Sequence, residues 1–138
     1  MKRTIKFRAQ RLDNGKWVYG DLEHNPGNKL TRIHTYDSKG DYQGQHIVIP
    51  ESVCQFTGLL DRNRKEIYEG DIVKYDDTPY NAYASPYSGE VVFYCGSWRV
   101  KTKGYGVEWV YPYLFRDDFA NRKTELLGNI YDNPELLK

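Results

Sequence analysis

Thr4-Ile5-Lys6-Phe7-Arg8-Ala9-Gln10, then Asp13-Asn14-Gly15, then Lys16-Trp17-Val18-Tyr19-Gly20-Asp21-Leu22, is the stretch that decides the class of fold. In its first run apolar and polar residues alternate with period two, so Ile5, Phe7 and Ala9 share one face of a strand and Lys6 and Arg8 the other. The Asn-Gly pair lies between two strand-like runs, and both residues accept the positive φ that a tight hairpin turn needs. Residues 4 to 23 are therefore predicted to form a β-hairpin with one wet face.

Working outward, residues 24 to 45 are polar and rich in turn formers, Asn25-Pro26-Gly27-Asn28 and Ser38-Lys39-Gly40-Asp41 bracketing one short candidate strand, Leu30 to Tyr36. This part reads as loop-dominated. His46 to Pro50 reads as a strand stopped by proline, Glu51 to Thr57 as a turn or one more strand, and 58 to 66 as a polar turn. Ile67 to Tyr75 is a strand bent at Gly70-Asp71, and 76 to 88 a second long loop. Gly89 to Tyr94 and Trp98 to Thr102 pair as a hairpin through Cys95-Gly96-Ser97, and Val107 to Tyr111 supplies a further strand. Helical turns are expected over 113 to 121, where Leu114, Phe115 and Phe119 fall at helical spacing, and at Asn133-Pro134-Glu135, where a cap precedes a first-turn proline. Thr124 to Tyr131 is a strand bulged at Gly128.

Short strands every 8 to 12 residues without helical crossovers argue for a mainly β protein, an antiparallel barrel or sandwich rather than an α/β fold. Composition agrees. The 138 residues include 13 Tyr, 5 Phe and 3 Trp against a single Met, and aromatic side chains suit a pleated surface. The length predicts one small globular domain with a core that needs no staple. No apolar run approaches a membrane span and the basic N-terminus does not resemble a signal peptide, so a soluble, cytoplasmic protein is expected. Cys54 and Cys95, far apart and outside any CxxC pattern, are read as reduced thiols serving as small core residues; a disulfide between them is the alternative.

Four acids, Asp61, Glu66, Glu69 and Asp71, crowd eleven residues, but the places a calcium loop needs filled hold Lys65, Glu66 and Ile72. They are read as turn-forming, solvated carboxylates. His24, His34 and His46 have no companions at ligand spacing and are read as isolated surface or loop residues. Gly104-Tyr105-Gly106 is a fragment of a dinucleotide fingerprint without its βαβ unit, so a turn explains it. No catalytic, cofactor or metal residue is assigned.

Two surface features remain. Residues 1 to 16 carry a net charge of +5 in a chain whose total is +1. Basic side chains among aromatics can hold single-stranded nucleic acid, here through Lys6, Arg8, Arg99, Lys101 and Lys103 with Trp98 nearby; a charged strand guarding a sheet edge is the preferred reading. Tyr75, Tyr80, Tyr83 and Tyr87 surround the second loop. Tyrosine is enriched in interfaces, so Tyr80, Tyr83 and Tyr87 form a candidate protein-binding surface, with a loop folded over the core as the alternative.

From Pro50-Glu51-Ser52-Val53-Cys54-Gln55-Phe56-Thr57-Gly58-Leu59-Leu60-Asp61 into Lys65-Glu66-Ile67-Tyr68-Glu69-Gly70-Asp71-Ile72-Val73, the chain resembles the YopX-like family of phage and prophage proteins. Ile5-Lys6-Phe7-Arg8-Ala9 with Trp17-Val18-Tyr19-Gly20-Asp21 is similar to that family's opening hairpin, and Leu127-Gly128-Asn129-Ile130-Tyr131-Asp132-Asn133-Pro134-Glu135-Leu136-Leu137 to its closing signature. Where members often carry Asn-Gly after the Gln-Phe-Thr-Gly string, this chain has Asn63-Arg64. The resemblance implies one YopX-like domain over 1–138, with a hairpin and loop-rich part at 1–57 and an SH3-like barrel or roll at 58–138. It implies phage or prophage origin and a homo-oligomer, and no activity. The function expected is that of a non-enzymatic protein-interaction or self-assembling module without a cofactor, its partner a second copy or a host or phage protein; the alternative is a nucleic-acid-binding β-barrel.

Overall fold

The period-two run and its Asn-Gly turn do fold into a hairpin: in a computed structural model, β1 (Phe7–Gln10) pairs antiparallel with β2 (Trp17–Asn25), Arg8 opposite Tyr19 and Gln10 opposite Trp17. The structure describes residues 2–76, 86–104, 107–110 and 123–137. The protein is mainly β and its described strand pairings are antiparallel. The chain divides into two compact units, Met1–Phe56 and Thr57–Lys138.

In the first unit the meander continues through β3 (Leu30–Tyr36) and β4 (Tyr42–Ile47). The strand order is β4-β3-β2-β1, with the start of β5 (Cys54–Leu60) on the other side of β1. This corrects the loop-dominated expectation for residues 24 to 45. β4, Tyr42-Gln43-Gly44-Gln45-His46-Ile47, hides from a search for alternation because it ends the strand order beside β3 and most of its side chains face water. The run expected as a strand over 46 to 50 also differs. It ends at Ile47, and Val48 then bridges to Arg11 while Leu12 donates to the Ile47 carbonyl and Ile49 to that of Gln10. A 3-10 turn at Pro50–Ser52 follows. Ala9, Ile33 and Val48 form the core of this unit, with Phe7, Val18, Leu22 and Val53 packed around them.

Close packing within the meander depends on Gly20. A Cβ there would stand 1.9 Å from the carbonyl oxygen of His34 on β3, nearer than any real side chain approaches.

In the second unit the end of β5 pairs with β6 (Glu66–Tyr68). A five-stranded sheet runs β10-β9-β8-β7-β11, from β7 (Asp71–Tyr75), β8 (Tyr87–Tyr94), β9 (Ser97–Gly104), β10 (Val107–Val110) and β11 (Thr124–Asn129). The order is open, so the described strands do not close a barrel. Ile67, Val73, Val91 and Val100 make the core of this unit. The bulge expected at Gly128 is present as a register shift between Leu126 and Gly128, and Pro134–Leu137 forms the closing turn as a 3-10 helix. The helical turns expected over 113 to 121 lie outside the described residues. Among the described residues no helix is long and apolar enough to cross a membrane.

Candidate functional site

The crowded acids divide into two kinds. Asp61 is buried, not solvated: its Oδ1 accepts from the amides of Asn63 and Lys65 at 2.8 and 2.9 Å, and its Oδ2 from Leu126 of β11 at 2.9 Å. One carboxylate thus closes the β5–β6 turn and anchors a strand more than sixty residues away. Asp71, also buried, accepts from the Tyr68 amide at 2.7 Å and fixes the bend between β6 and β7. The turn-forming expectation holds for both; their solvation does not, because carboxylates that accept several amides can be buried.

Glu69 is different, and so is Glu90, which lies outside that cluster on β8. Burial pushes the Glu69 carboxyl above its ordinary value, and the charge of Glu90 adds to the rise. Burial raises Glu90 as well, with Lys101, its cross-strand neighbour, pulling the other way. Among the described residues no group of three or more His, Cys, Asp or Glu is placed to hold a metal ion.

Of the tyrosines around the second loop, Tyr80 and Tyr83 lie outside the described residues. Tyr87 opens β8 half-buried, its ring stacked on that of the buried Tyr75 at 5.1 Å. The basic residues divide between the two units. In the first unit Lys6 lies over the Phe56 ring and the buried Arg8 over the Trp17 ring, at 5.1 and 4.7 Å. In the second unit, Trp98, Val100 and Thr102 alternate along β9 on the face that carries the core, and Trp98 packs against that core. Arg99 and Lys101 occupy the opposite face, and Lys103 is on β9 by its backbone. Trp98 and the two cations therefore face opposite ways.

The β8–β9 hairpin ends in aromatic side chains. Phe93 pairs with Trp98 across the strands, their rings meeting edge to face at 5.0 Å. Phe93 lies on the same face as the fully buried Val91, two residues earlier, yet it is 58% exposed; the adjoining Tyr94 is exposed too. The apolar face of this ribbon runs past the core and ends in water. The turn itself is Cys95-Gly96, both with positive φ, +50° and +80°. That is the two-residue geometry that suits the twist of a hairpin. Cys95 is exposed at its tip, contrary to the reading of both cysteines as core residues; Cys54 is buried, and the two are free thiols.

The three histidines also differ from one another. His24 bonds Thr31 Oγ1 at 3.0 Å, and His46 lines an open groove of about 440 Å³ with Leu12 and Ile47. His34 is not isolated. Its Nε2 stands 3.0 Å from Glu23 Oε2 and its Nδ1 3.1 Å from the Tyr42 hydroxyl, while Arg32 Nη1 lies 3.6 Å from the same Glu23 oxygen. Sequence spacing conceals this group, since its members are brought together by register: Glu23 opposes Arg32, and His34 opposes Gln45 close to Tyr42.

The three marked stretches of sequence are therefore parts of one fold: the opening hairpin, the Asp61 turn with the Gly70-Asp71 bend, and the strand and turn at the end. A family model described as YopX protein matches residues 6–138, nearly the whole chain. The chain belongs to the YopX family. This YopX-family chain is also similar to a solved structure, that of protein EF1440 from Enterococcus faecalis, at 22% identity and a TM-score of 0.55, covering 99% of this chain and 100% of that one. At that identity the likeness concerns the fold alone. No curated protein matches this YopX chain.

Proposed function

We propose that this YopX-family protein is a non-enzymatic phage or prophage accessory protein of the bacterial cytoplasm, and that it works by self-assembly, a second copy docking on the aromatic end of the β8–β9 hairpin. The observation that carries this reading is Phe93, exposed on a face whose neighbouring positions, Val91 and Val100, are wholly buried. With Trp98, whose ring it meets edge to face, it offers the rigid aromatic anchors on which interface energy concentrates. A formal charge of only +1 lets two copies approach without strong mutual repulsion. A twofold contact between like hairpin ends would cover the same side chains on both copies.

Nucleic acid is the second reading, favoured by Arg99 and Lys101 sharing one face of β9. Lys101 opposes Glu90, which reduces the positive charge there.

Light scattering on the purified chain and its Phe93→Ser variant separates these readings. Self-assembly through the hairpin predicts an oligomeric mass for the wild type and a smaller mass for the variant, with unchanged far-ultraviolet circular dichroism. A monomer at every concentration, or an oligomer indifferent to Phe93→Ser, contradicts it. Salt-sensitive binding of an oligonucleotide by a monomer, lost in the double variant Arg99→Gln, Lys101→Gln, would move the assignment to nucleic acid.

A further inference from the structure

The Glu23, His34 and Tyr42 side chains form a line of three groups in hydrogen-bond reach, carboxylate to imidazole at 3.0 Å and imidazole to phenol at 3.1 Å. This is the arrangement by which a general base, oriented by a third group, activates a hydroxyl nucleophile. The direction of the relay follows from the donors available. The His34 hydrogen bond holds the Glu23 carboxyl below its ordinary range, with desolvation opposing and the Arg32 charge assisting, so Glu23 is an acceptor only. In the neutral imidazole the proton must then sit on Nε2, facing Glu23, which leaves the Nδ1 lone pair for the Tyr42 proton. Tyr42 is 55% exposed, so a reagent can reach its oxygen. The neighbouring Tyr36 ring packs edge-on against it at 5.6 Å and restricts its rotation.

From this geometry we propose that Tyr42 is an activated nucleophile and a site of covalent acylation, with His34 as its base and Glu23 as the group that positions His34. The proposal goes beyond self-assembly and concerns the other unit of the chain. The electrophile it suits is an uncharged activated acyl group. Arg32, the cation at this place, lies against Glu23 and neutralises that carboxylate, so it does not stand ready for a phosphoryl group. In the reaction the Tyr42 oxygen bonds to the acyl carbon, the bond from that carbon to the leaving group breaks, and the phenol proton passes to His34 Nδ1 and from there to the departing group. With N-acetylimidazole the products are the Tyr42 acetyl ester and imidazole, with no oxidation or reduction.

The test is limited acetylation of the whole chain by N-acetylimidazole, read site by site by peptide mass spectrometry, with the exposed Tyr19 and Tyr36 as internal standards. Tyr42 is expected to acetylate about tenfold faster than either, a modest share of what a positioned general base supplies. His34→Gln should bring it down to the standards and Glu23→Gln part of the way, since loss of the orienting group leaves the base in place. Equal labelling of Tyr42, Tyr36 and Tyr19 in the wild type overturns the proposal, as does unchanged Tyr42 labelling in His34→Gln. If that variant does not fold, Glu23→Gln decides: no decrease in Tyr42 labelling overturns the relay.

Discussion

Arg64 shows how one residue can sit against the local preference of its own turn. Its φ is +64°, the left-handed region that a Cβ disfavours. The turn holds because Asp61 accepts from both the Asn63 and Lys65 amides. Arg64→Gly should therefore stabilise the protein by about 1 kcal/mol in urea unfolding. Asp61→Ala should destabilise it by about 2–4 kcal/mol, because the Leu126 amide loses its partner along with the two turn amides. Equal midpoints for wild type and Arg64→Gly would contradict the first expectation. Glu69 and Glu90 bear on pH. Carboxyls raised on folding bind protons more tightly in the native state, so the stability they contribute is fully present below their unfolded values and is lost as pH rises through the folded ones. Glu69→Gln should then be more stable than wild type at neutral pH, with the gain shrinking on acidification; thermal melts across the mildly acid range measure it, and a gain that grows toward low pH would refute it. The sequence shows Glu69 in a cluster with Asp61, Glu66 and Asp71. It does not show which of them accept amides, nor that Glu90, outside the cluster, comes near Glu69 once β8 pairs with β7.

At the scale of elements, the opening hairpin was legible because its alternation and its Asn-Gly turn agree, and Phe7 to Gln10 do pair with Trp17 to Gly20. The bend at Gly70-Asp71 and the bulge at Gly128 were legible for a similar reason, glycine being placed where regular pairing breaks. β4 was not, since a polar edge strand owes its conformation to backbone bonds with β3 and not to an apolar face. The Glu23–His34–Tyr42 line was hidden with it, as it spans β2, β3 and β4 and exists only once their register is known. Gly20 sets how closely β2 and β3 approach. Gly20→Ala places a Cβ against the His34 carbonyl and should cost about 2 kcal/mol or more, from the overpacking it forces. It should also loosen His34 and slow Tyr42 acetylation. A Gly20→Ala variant as stable as wild type would show that the two strands can separate without loss.

For the molecule as a whole, two compact units and a family match over residues 6–138 establish what kind of chain this is. The β class was readable from aromatic composition and turn spacing. The exposed aromatic end was not, because Tyr94, Cys95 and Gly96 resemble any tight turn, and only the register reveals that Phe93 and Trp98 prolong a buried face into water. That prolonged face is the central claim, and sedimentation equilibrium of the full wild-type chain over a wide concentration range tests it most directly. The account predicts reversible association, with the apparent mass rising from that of the 16.2 kDa chain toward a whole multiple of it. A mass that stays at 16.2 kDa at the highest concentration reached would contradict it.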